Sequence, residues 1–397
     1  MKSLRCTPLL LAALAAARVA LPAVAGQVDE TDGLEWSNRA ANNTPEFDRQ
    51  FRGDFNNDLV TATLDNLRPH EMLQISFQLF ILRSWDGMGR TKGNSRIGPD
   101  YIRVGLEDGR TLLHASFSNT PVLQGFDDQC NWQGYPSPVP GDKCPFMTGA
   151  DLKNVLGYFY AGDPHPAQPT RMDAIYTLRM LVPHTANKVV MHFHGMGLQN
   201  KGDESWGVAD LKIVPLAKSA TQVPVADMPS ATYELLDGRK MIVPHPDAST
   251  IGTMLQPASG REPIAAQAAF WRLVAGGDAT AALLPKVVKP VPIDTAKVKL
   301  LVAAVYDKTA PRDERDTRIR EIVALGSTIE PVLRDLRDEA KETPSRLDWA
   351  LMDLGLLAID EPEQRQWIVA TRILDAIATP AAKQARTALI ATPKPTP

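Results

Sequence analysis

The chain has 397 residues, a formal net charge of −3 and a sequence pI near 6.2. With 44% apolar and 22% charged residues, it has the composition of a globular protein that buries a sizeable core, and its length predicts two or three domains. The near-neutral charge, without a basic block, argues against a nucleic-acid partner and against a polybasic membrane anchor. The 32 prolines favour a loop-rich β protein with extended linkers over an all-helical one.

Residues 1–25 have the pattern of a secretory signal peptide. Lys2 and Arg5 supply the positive start, an apolar run extends from Leu9 to Ala17 and resumes after Arg18 as far as Val24, and Ala23-Val24-Ala25 matches an A-x-A cleavage signal before Gly26. We therefore expect a secreted or periplasmic protein. No later apolar run reaches 18 residues, so no transmembrane segment is expected in the mature chain.

The mature chain keeps two cysteines, Cys130 and Cys144. An even number of cysteines in an exported protein predicts a disulfide, which would close a short loop and contribute roughly 3 kcal/mol by the chain-entropy estimate. The alternatives are two thiols or a metal-binding pair. A structural zinc site is not expected without a third or fourth cysteine.

Residues 26–219 are dominated by a period of two, which predicts strands. Between Leu73 and Ile81 the odd positions are all apolar and most of the intervening ones are polar, as in a half-buried antiparallel strand. Glu107-Asp108-Gly109 predicts the turn of a hairpin. About eight strands in this stretch predict a β-sandwich of jelly-roll type.

The chain changes character near residue 220. Residues 220–260 are rich in proline and predict a linker with one short hairpin around Asp237-Gly238. From residue 261 to 391 the apolar period becomes 3.6, which predicts helices of 10 to 15 residues stacked as α-hairpins. Residues 392–397 are expected to be a disordered tail. The predicted fold class is multidomain β plus α.

The sequence resembles two known kinds of module. The stretch from Trp36 to Val214 is similar to secreted bacterial β-sandwich modules, and residues 267–389 resemble a degenerate HEAT-like helical module. Five motifs carry the first resemblance: Phe51-Arg52-Gly53-Asp54-Phe55, Ser84-Trp85-Asp86-Gly87, Gly98-Pro99-Asp100, Phe117-Ser118-Asn119 and Asp203-Glu204-Ser205-Trp206-Gly207. The second is carried by Phe270-Trp271-Arg272-Leu273, Leu325-Gly326-Ser327, Ile329-Glu330-Pro331-Val332-Leu333-Arg334 and the run from Arg372 to Pro380. The resemblances imply an extracellular adhesion or carbohydrate-binding domain followed by a scaffolding domain.

Asp86, Asp100 and Glu204 are the candidate metal ligands. Each lies at a predicted strand end beside Gly, Pro or Ser, where loop backbone can approach an ion. Calcium takes six to eight oxygen ligands, and jelly-roll modules commonly hold one structural calcium, so a structural calcium ion is the expected cofactor. Three further acids could complete the set: Asp127, Asp128 and Asp203. The alternative is that all these acids are turn residues bonded to their own backbone.

His192 and His194 alternate with apolar residues and therefore share one strand face. Two such imidazoles can bind zinc, with His114 or His184 as a third ligand if the fold brings one of them close. The plainer interpretation is a solvated sheet face.

Trp132 and Tyr135, inside the predicted disulfide loop, are the candidate ligand-binding aromatics, since Trp and Tyr stack on sugar rings. Trp85 and Trp206 lie at strand ends and are expected in the core.

No catalytic motif is found: the sequence has no G-x-S-x-G, H-E-x-x-H, Walker or dinucleotide pattern. We therefore expect a non-enzymatic extracytoplasmic binding or scaffold protein whose partner is a glycan or an envelope protein. The alternatives are a hydrolase acting on cell-surface polysaccharide and a structural subunit of an envelope assembly.

Overall fold

The computed structural model describes residues 33–89, 91–92, 95–121, 130–160, 169–218, 230–234, 240–244, 247–340 and 346–391. It contains antiparallel sheets followed by a helical region, which confirms the predicted fold class. The predicted signal peptide and the predicted disordered tail lie outside the described residues.

The described strands, in chain order, are β1 (Glu35–Trp36), β2 (Ala41–Asn43), β3 (Gln50–Phe55), β4 (Leu59–Leu64), β5 (Met72–Arg83), β6 (Thr91–Lys92), β7 (Ser95–Arg96), β8 (Tyr101–Leu106), β9 (Thr111–Ser116), β10 (Trp132–Gln133), β11 (Cys144–Pro145), β12 (Leu152–Lys153), β13 (Asp173–Pro183), β14 (Val189–Met196), β15 (Glu204–Lys218), β16 (Ser230–Glu234), β17 (Lys240–Pro244), β18 (Val291–Pro292) and β19 (Ile390–Ala391).

Two antiparallel sheets form the β domain. One has the order β1-β4-β14-β8-β9, and the other runs β12-β13-β5-β15 and continues into β3 with β2 and into the hairpin β16-β17. Apolar side chains from the inner faces of both sheets form one core, in which Phe77 of β5 meets Phe193 of β14 edge to face at 5.2 Å. This pairing of inner faces is the packing expected of a sandwich.

Strand β5 bears out the predicted alternation and adds a second buried face. Leu73, Ile75, Phe77, Leu79 and Ile81 are all at most 1% exposed and point into the core between the sheets. On the opposite face, a smaller cluster covers the last part of the strand; it consists of Phe51, Phe80, Leu82, Leu156, Tyr158 and Ile175. The strand is therefore half-buried only in its first part.

The helices are α1 (Ala248–Ala258), α2 (Pro263–Ala275), α3 (Gly277–Val287), α4 (Thr295–Tyr306), α5 (Arg312–Val323), α6 (Glu330–Ala340), α7 (Arg346–Leu354), α8 (Pro362–Ile377) and α9 (Pro380–Leu389). Successive helices pack as pairs, and α8 and α9 return to pack against α2 and α3. Among the described residues, no helix is long and apolar enough to cross a membrane.

The stretch predicted as a linker contains more regular structure than its prolines suggest. The hairpin is present, because β16 and β17 pair across the predicted turn. Beyond it, α1 begins at Ala248, with the Asp247 side chain accepting a hydrogen bond from the Thr250 N–H. Ile251 and Leu255 of α1 are buried. Pro257 lies inside α1, close to its end.

The helical region packs directly on the β domain. The Tyr101 hydroxyl donates to the Met352 carbonyl at 3.2 Å, and the Gly141 N–H donates to the Gly355 carbonyl at 2.8 Å. Gly141 has a φ of +76°, and a Cβ there would lie 2.1 Å from the Leu357 carbonyl oxygen, so this close approach requires glycine. The two regions share one apolar core.

The predicted disulfide between Cys130 and Cys144 is not formed, and both thiols are buried. The pairing of β10 with β11 gives the reason, since it places Cys144 opposite Gln133. Cys130 lies in the turn before β10, so the two cysteines are not opposite each other in this strand pair. The even cysteine count predicted a pairing that the structure does not form.

Candidate metal site

Asp86, Asp100 and Glu204 meet at one end of the sandwich. Asp86 follows the end of β5, Glu204 begins the neighbouring antiparallel strand β15, and Asp100 immediately precedes β8 of the other sheet. Because β5 and β15 run in opposite directions, the end of one lies beside the start of the other. The three acids therefore connect the two sheets at a common edge.

Gly87 allows the chain to turn sharply after Asp86. Its φ is +57°, and a Cβ at this position would lie 2.2 Å from the Trp132 carbonyl oxygen and 2.7 Å from the Ser118 Cβ. Any side chain at position 87 would therefore disrupt the antiparallel β-bridge between the backbones of Asp86 and Ser118. This is the physical reason for the Asp-Gly pair in the Ser84–Gly87 motif.

The three carboxylates converge closely and are sealed from solvent. One oxygen from each lies within 4.8 Å of the others. Asp86 is 3% exposed, and Asp100 and Glu204 are 0% exposed. Within the part of the chain that the structure describes, no other three His, Cys, Asp or Glu side chains converge in this way.

Two of the carboxylates have one satisfied and one unsatisfied oxygen. Asp100 Oδ2 accepts a short hydrogen bond from the Asp86 N–H, and Glu204 Oε2 accepts one from the Gln199 N–H. Asp100 Oδ1 and Glu204 Oε1 are buried and have no hydrogen-bond donor among the described residues. A buried anionic oxygen without a partner is costly, so these two oxygens call for a cation or donor.

The electrostatics of the cluster point the same way. Burial raises the pKa of Asp100 well above its usual range, and the nearby charges of Glu204 and Asp86 raise it further. Burial likewise raises the pKa of Glu204, and Asp86 and then Asp203 add to this effect despite the Gln199 N–H. Both groups resist ionisation chiefly because they are buried, and a cation bound between them would offset that cost.

The donor set matches a hard divalent cation. Carboxylate oxygens are the preferred ligands of calcium, which also accepts backbone carbonyls and water to reach six to eight ligands. Nitrogen and sulfur ligands, which zinc favours, are absent from the cluster. The residues present thus fit the predicted calcium ion, which Asp86, Asp100 and Glu204 would hold.

Asn119 is a neighbouring oxygen donor that the sequence interpretation did not include among the ligands. Its Nδ2 donates to the carbonyls of Ile81 at 2.8 Å and Arg83 at 3.1 Å, and its N–H donates to the Trp85 carbonyl at 3.1 Å. These bonds fix the amide, and its Oδ1 is buried without a partner among the described residues. The Phe117-Ser118-Asn119 motif is the sequence feature from which Asn119 could have been identified as a candidate ligand.

The other predicted acids have different outcomes. Asp203 Oδ1 accepts a short hydrogen bond from the Ser84 hydroxyl, and the Asp203 carbonyl accepts from the Ser84 N–H at 3.0 Å. Asp203 therefore ties the loop before β15 to the end of β5. Asp127 and Asp128 lie outside the described residues.

The predicted histidine site does not form. His194 is 5% exposed rather than solvated, because helix α7 covers this sheet face and brings Asp348 near it. His184 instead binds His70, with His70 Nε2 and His184 Nδ1 2.7 Å apart. No group of three ligands among the described residues includes a histidine.

The two candidate aromatic ligands, Trp132 and Tyr135, differ in exposure. Tyr135 is only 5% exposed, because its ring stacks on Phe117 and meets Tyr176 edge to face. It offers no open face to a sugar, contrary to the expectation for a surface loop, whereas Trp132 is half-buried. Trp85 and Trp206 are fully buried, as expected.

The chain matches no protein-family model. A comparison with curated proteins also finds no match.

Proposed function

We propose that this protein is a non-enzymatic, extracytoplasmic binding or scaffold protein whose β domain holds a structural calcium ion at Asp86, Asp100 and Glu204. The observation that carries the proposal is the convergence of three sealed carboxylates, two of which have an unpartnered oxygen. An ion at this position would tie together three strand ends from two sheets. Its role would be to stabilise the sandwich.

The burial of the cluster favours a structural role over hydrolysis. A glycosidase presents its two carboxyl groups to a cleft that admits the glycosidic bond. Asp100 and Glu204 are 0% exposed, so a polysaccharide does not reach them. This supports binding or scaffolding over the hydrolase alternative at this site.

The binding role itself rests on the sequence. The signal-peptide pattern supports an exported protein, and the resemblance to secreted β-sandwich modules and to a HEAT-like module supports a glycan or envelope-protein partner. Trp132 remains the proposed aromatic contact, now without Tyr135.

The calcium proposal is tested by unfolding the full chain and refolding it with chelator or with excess calcium. Calcium at about 100 times its Kd would add about 2.7 kcal/mol of stability. For a chain of this size, that corresponds to a Tm rise of about 3 to 4 °C. Equal Tm values after refolding in calcium and in chelator would remove calcium from the proposal.

Variants identify the ligands. Glu204→Gln should abolish the calcium-dependent rise in Tm. Asp210→Asn is the matched control, because Asp210 is an exposed acid on the same strand, β15. It should keep the full rise. Loss of the rise in both variants, or in neither, would show that the ion does not bind at this cluster.

A further inference from the structure

The outer face of the five-stranded sheet meets the helices through a layer of cations. Arg103 of β8 is paired with His114 of β9, and α6 and α8 bring Arg334, Arg337 and Arg372 against them. Burial is the main cause that lowers the pKa of His114, and all four arginines lower it further. Four guanidinium groups thus surround a neutral imidazole.

Acidic side chains pair with the arginines of this layer. Glu330 Oε1 accepts from Arg334 Nε at 2.9 Å and from Arg372 Nη2 at 2.6 Å. Two aspartates form ion pairs with the other two arginines. Asp338 contacts Arg337 at 2.8 Å and Arg103 at 3.6 Å, and Asp348 lies 3.5 Å from Arg337. The Asp338 side chain is 37% exposed, so solvent screens part of its charge. Asp375 of α8 also acts on Arg334, so the layer has about as many acids as arginines.

Several buried N–H groups of this layer have no acceptor. Arg103 Nε, Arg337 Nη2 and Arg372 Nε are buried without a hydrogen-bond partner among the described residues. A desolvated cationic donor that lacks an acceptor is costly. Glu330 Oε2, on the carboxylate that binds Arg334 and Arg372, is also without a partner.

A cavity of about 60 Å³ lies at this layer. Its wall includes Arg334 and Arg372, together with His114 of β9, Gln267 of α2 and Ser137 of the intervening loop. A water molecule needs only about 10 to 15 Å³ of such space, so the cavity has room for a halide ion with accompanying water. One of its lining residues, Arg372, carries an unpartnered buried donor.

We propose that this cavity binds a small monovalent anion of the chloride class, with Arg372 Nε as a donor and Arg334 as a second positive group. Glu330 favours a monovalent anion over a divalent oxyanion. Its carboxylate is already bound to both arginines, and its negative charge would repel a divalent anion more strongly. The bound anion would join β9, α6 and α8. The site shares no residue with the acidic cluster, so it stands independently of the calcium proposal.

Thermal unfolding of the full chain tests the site, with chloride and bromide as the probes. Each halide is compared with gluconate at a constant ionic strength of about 0.15 M. Gluconate is too large for the cavity. We expect a saturable rise in Tm with either halide over gluconate. Equal Tm values in the three salts would overturn the proposal.

Two arginine variants test whether the halide-dependent rise in Tm comes from binding in this cavity. Arg372→Lys keeps the charge but removes Nε, and should abolish the halide response. Arg386→Lys is the control, because Arg386 also binds across helices but does not line the cavity. A halide response that survives in Arg372→Lys would contradict the assignment.

Bromide soaked into crystals of the unchanged protein gives a test that depends on no variant. We expect an anomalous scattering peak in hydrogen-bonding contact with Arg372 Nε. A cavity without such a peak would overturn the proposal.

Discussion

Asp100 is a member of the acidic cluster whose pKa is raised by its burial and by two neighbouring acids. It is fully buried, and its Oδ1 has no donor among the described residues. We therefore expect the effect of Asp100→Asn on the free energy of unfolding to have opposite signs in chelator and in calcium. After refolding in chelator the variant should be at least as stable as the parent, because the amide is neutral and replaces an acid whose ionisation in the buried site is costly. In calcium it should be less stable, because a ligand is lost.

The measurement is the free energy of unfolding of both proteins by urea, with and without calcium. The Asn119→Ala variant serves as a contrast, because losing the amide removes two donors to carbonyl oxygens and should destabilise the protein in both conditions. An Asp100→Asn variant that is destabilised equally in chelator and in calcium would indicate a purely hydrogen-bonding role.

His184 makes stability depend on pH. Its pKa is lowered to about 4, first by burial and then by Arg110 and His70, whereas the unfolded value is near 6.5. Between these values the unfolded chain binds the proton more strongly, so this residue adds stability that is lost as pH falls from about 6.5 to 4. His184→Asn keeps a donor for His70 Nε2 and should lose less stability over this window.

The check on His184 is the free energy of unfolding of parent and variant at several pH values across the window. The slopes against pH should differ, with the parent steeper. Parallel slopes would mean that His184 is not the source of the dependence.

Among the elements, the loop before β11 joins the two regions through a buried ion pair. Asp142 in this loop binds Arg365 of α8 through two hydrogen bonds of 2.5 and 2.8 Å. Arg365 also donates to the carbonyls of Ser259 and Gly260, both at 2.8 Å. The Arg365 and Asp142 side chains are only 4% and 14% exposed. We expect Asp142→Ala to cost about 3 to 5 kcal/mol, because it leaves a buried guanidinium unpaired.

The matched control for this pair is Asp360→Ala. Asp360 pairs with Arg261 at 2.9 Å, but both side chains are more than 60% exposed. An exposed pair contributes about 0 to 1 kcal/mol. Urea unfolding of the two variants should show the difference, and similar losses would mean that the loop does not hold the helical region.

The elements themselves could be predicted because their patterns are local. The alternation of β5 and the turn after β8 follow from side-chain period and glycine placement. The three acids of the cluster could be predicted because each lies at a strand end beside a turn residue. Asn119 could not, since only the fold shows that its oxygen lacks a partner. The disulfide prediction was wrong because cysteine spacing carries no information about strand register.

At the scale of the whole molecule, the β and helical regions should unfold together. They share one apolar core and a buried polar layer, so separating them would expose both. We expect calorimetry of the full chain to show a single transition, with the calorimetric and van't Hoff enthalpies equal. Two resolved transitions would show that the shared core does not couple the regions.

The sealing of the acidic cluster also has a kinetic consequence. Because Asp100 and Glu204 are fully buried, an ion held between them cannot leave until the strand ends that carry them separate. The escape rate could then not exceed the rate of that local opening, whatever the amount of chelator outside. Such a protein would retain the ion it acquired while folding, and its occupancy would reflect the calcium level of the compartment in which it folded.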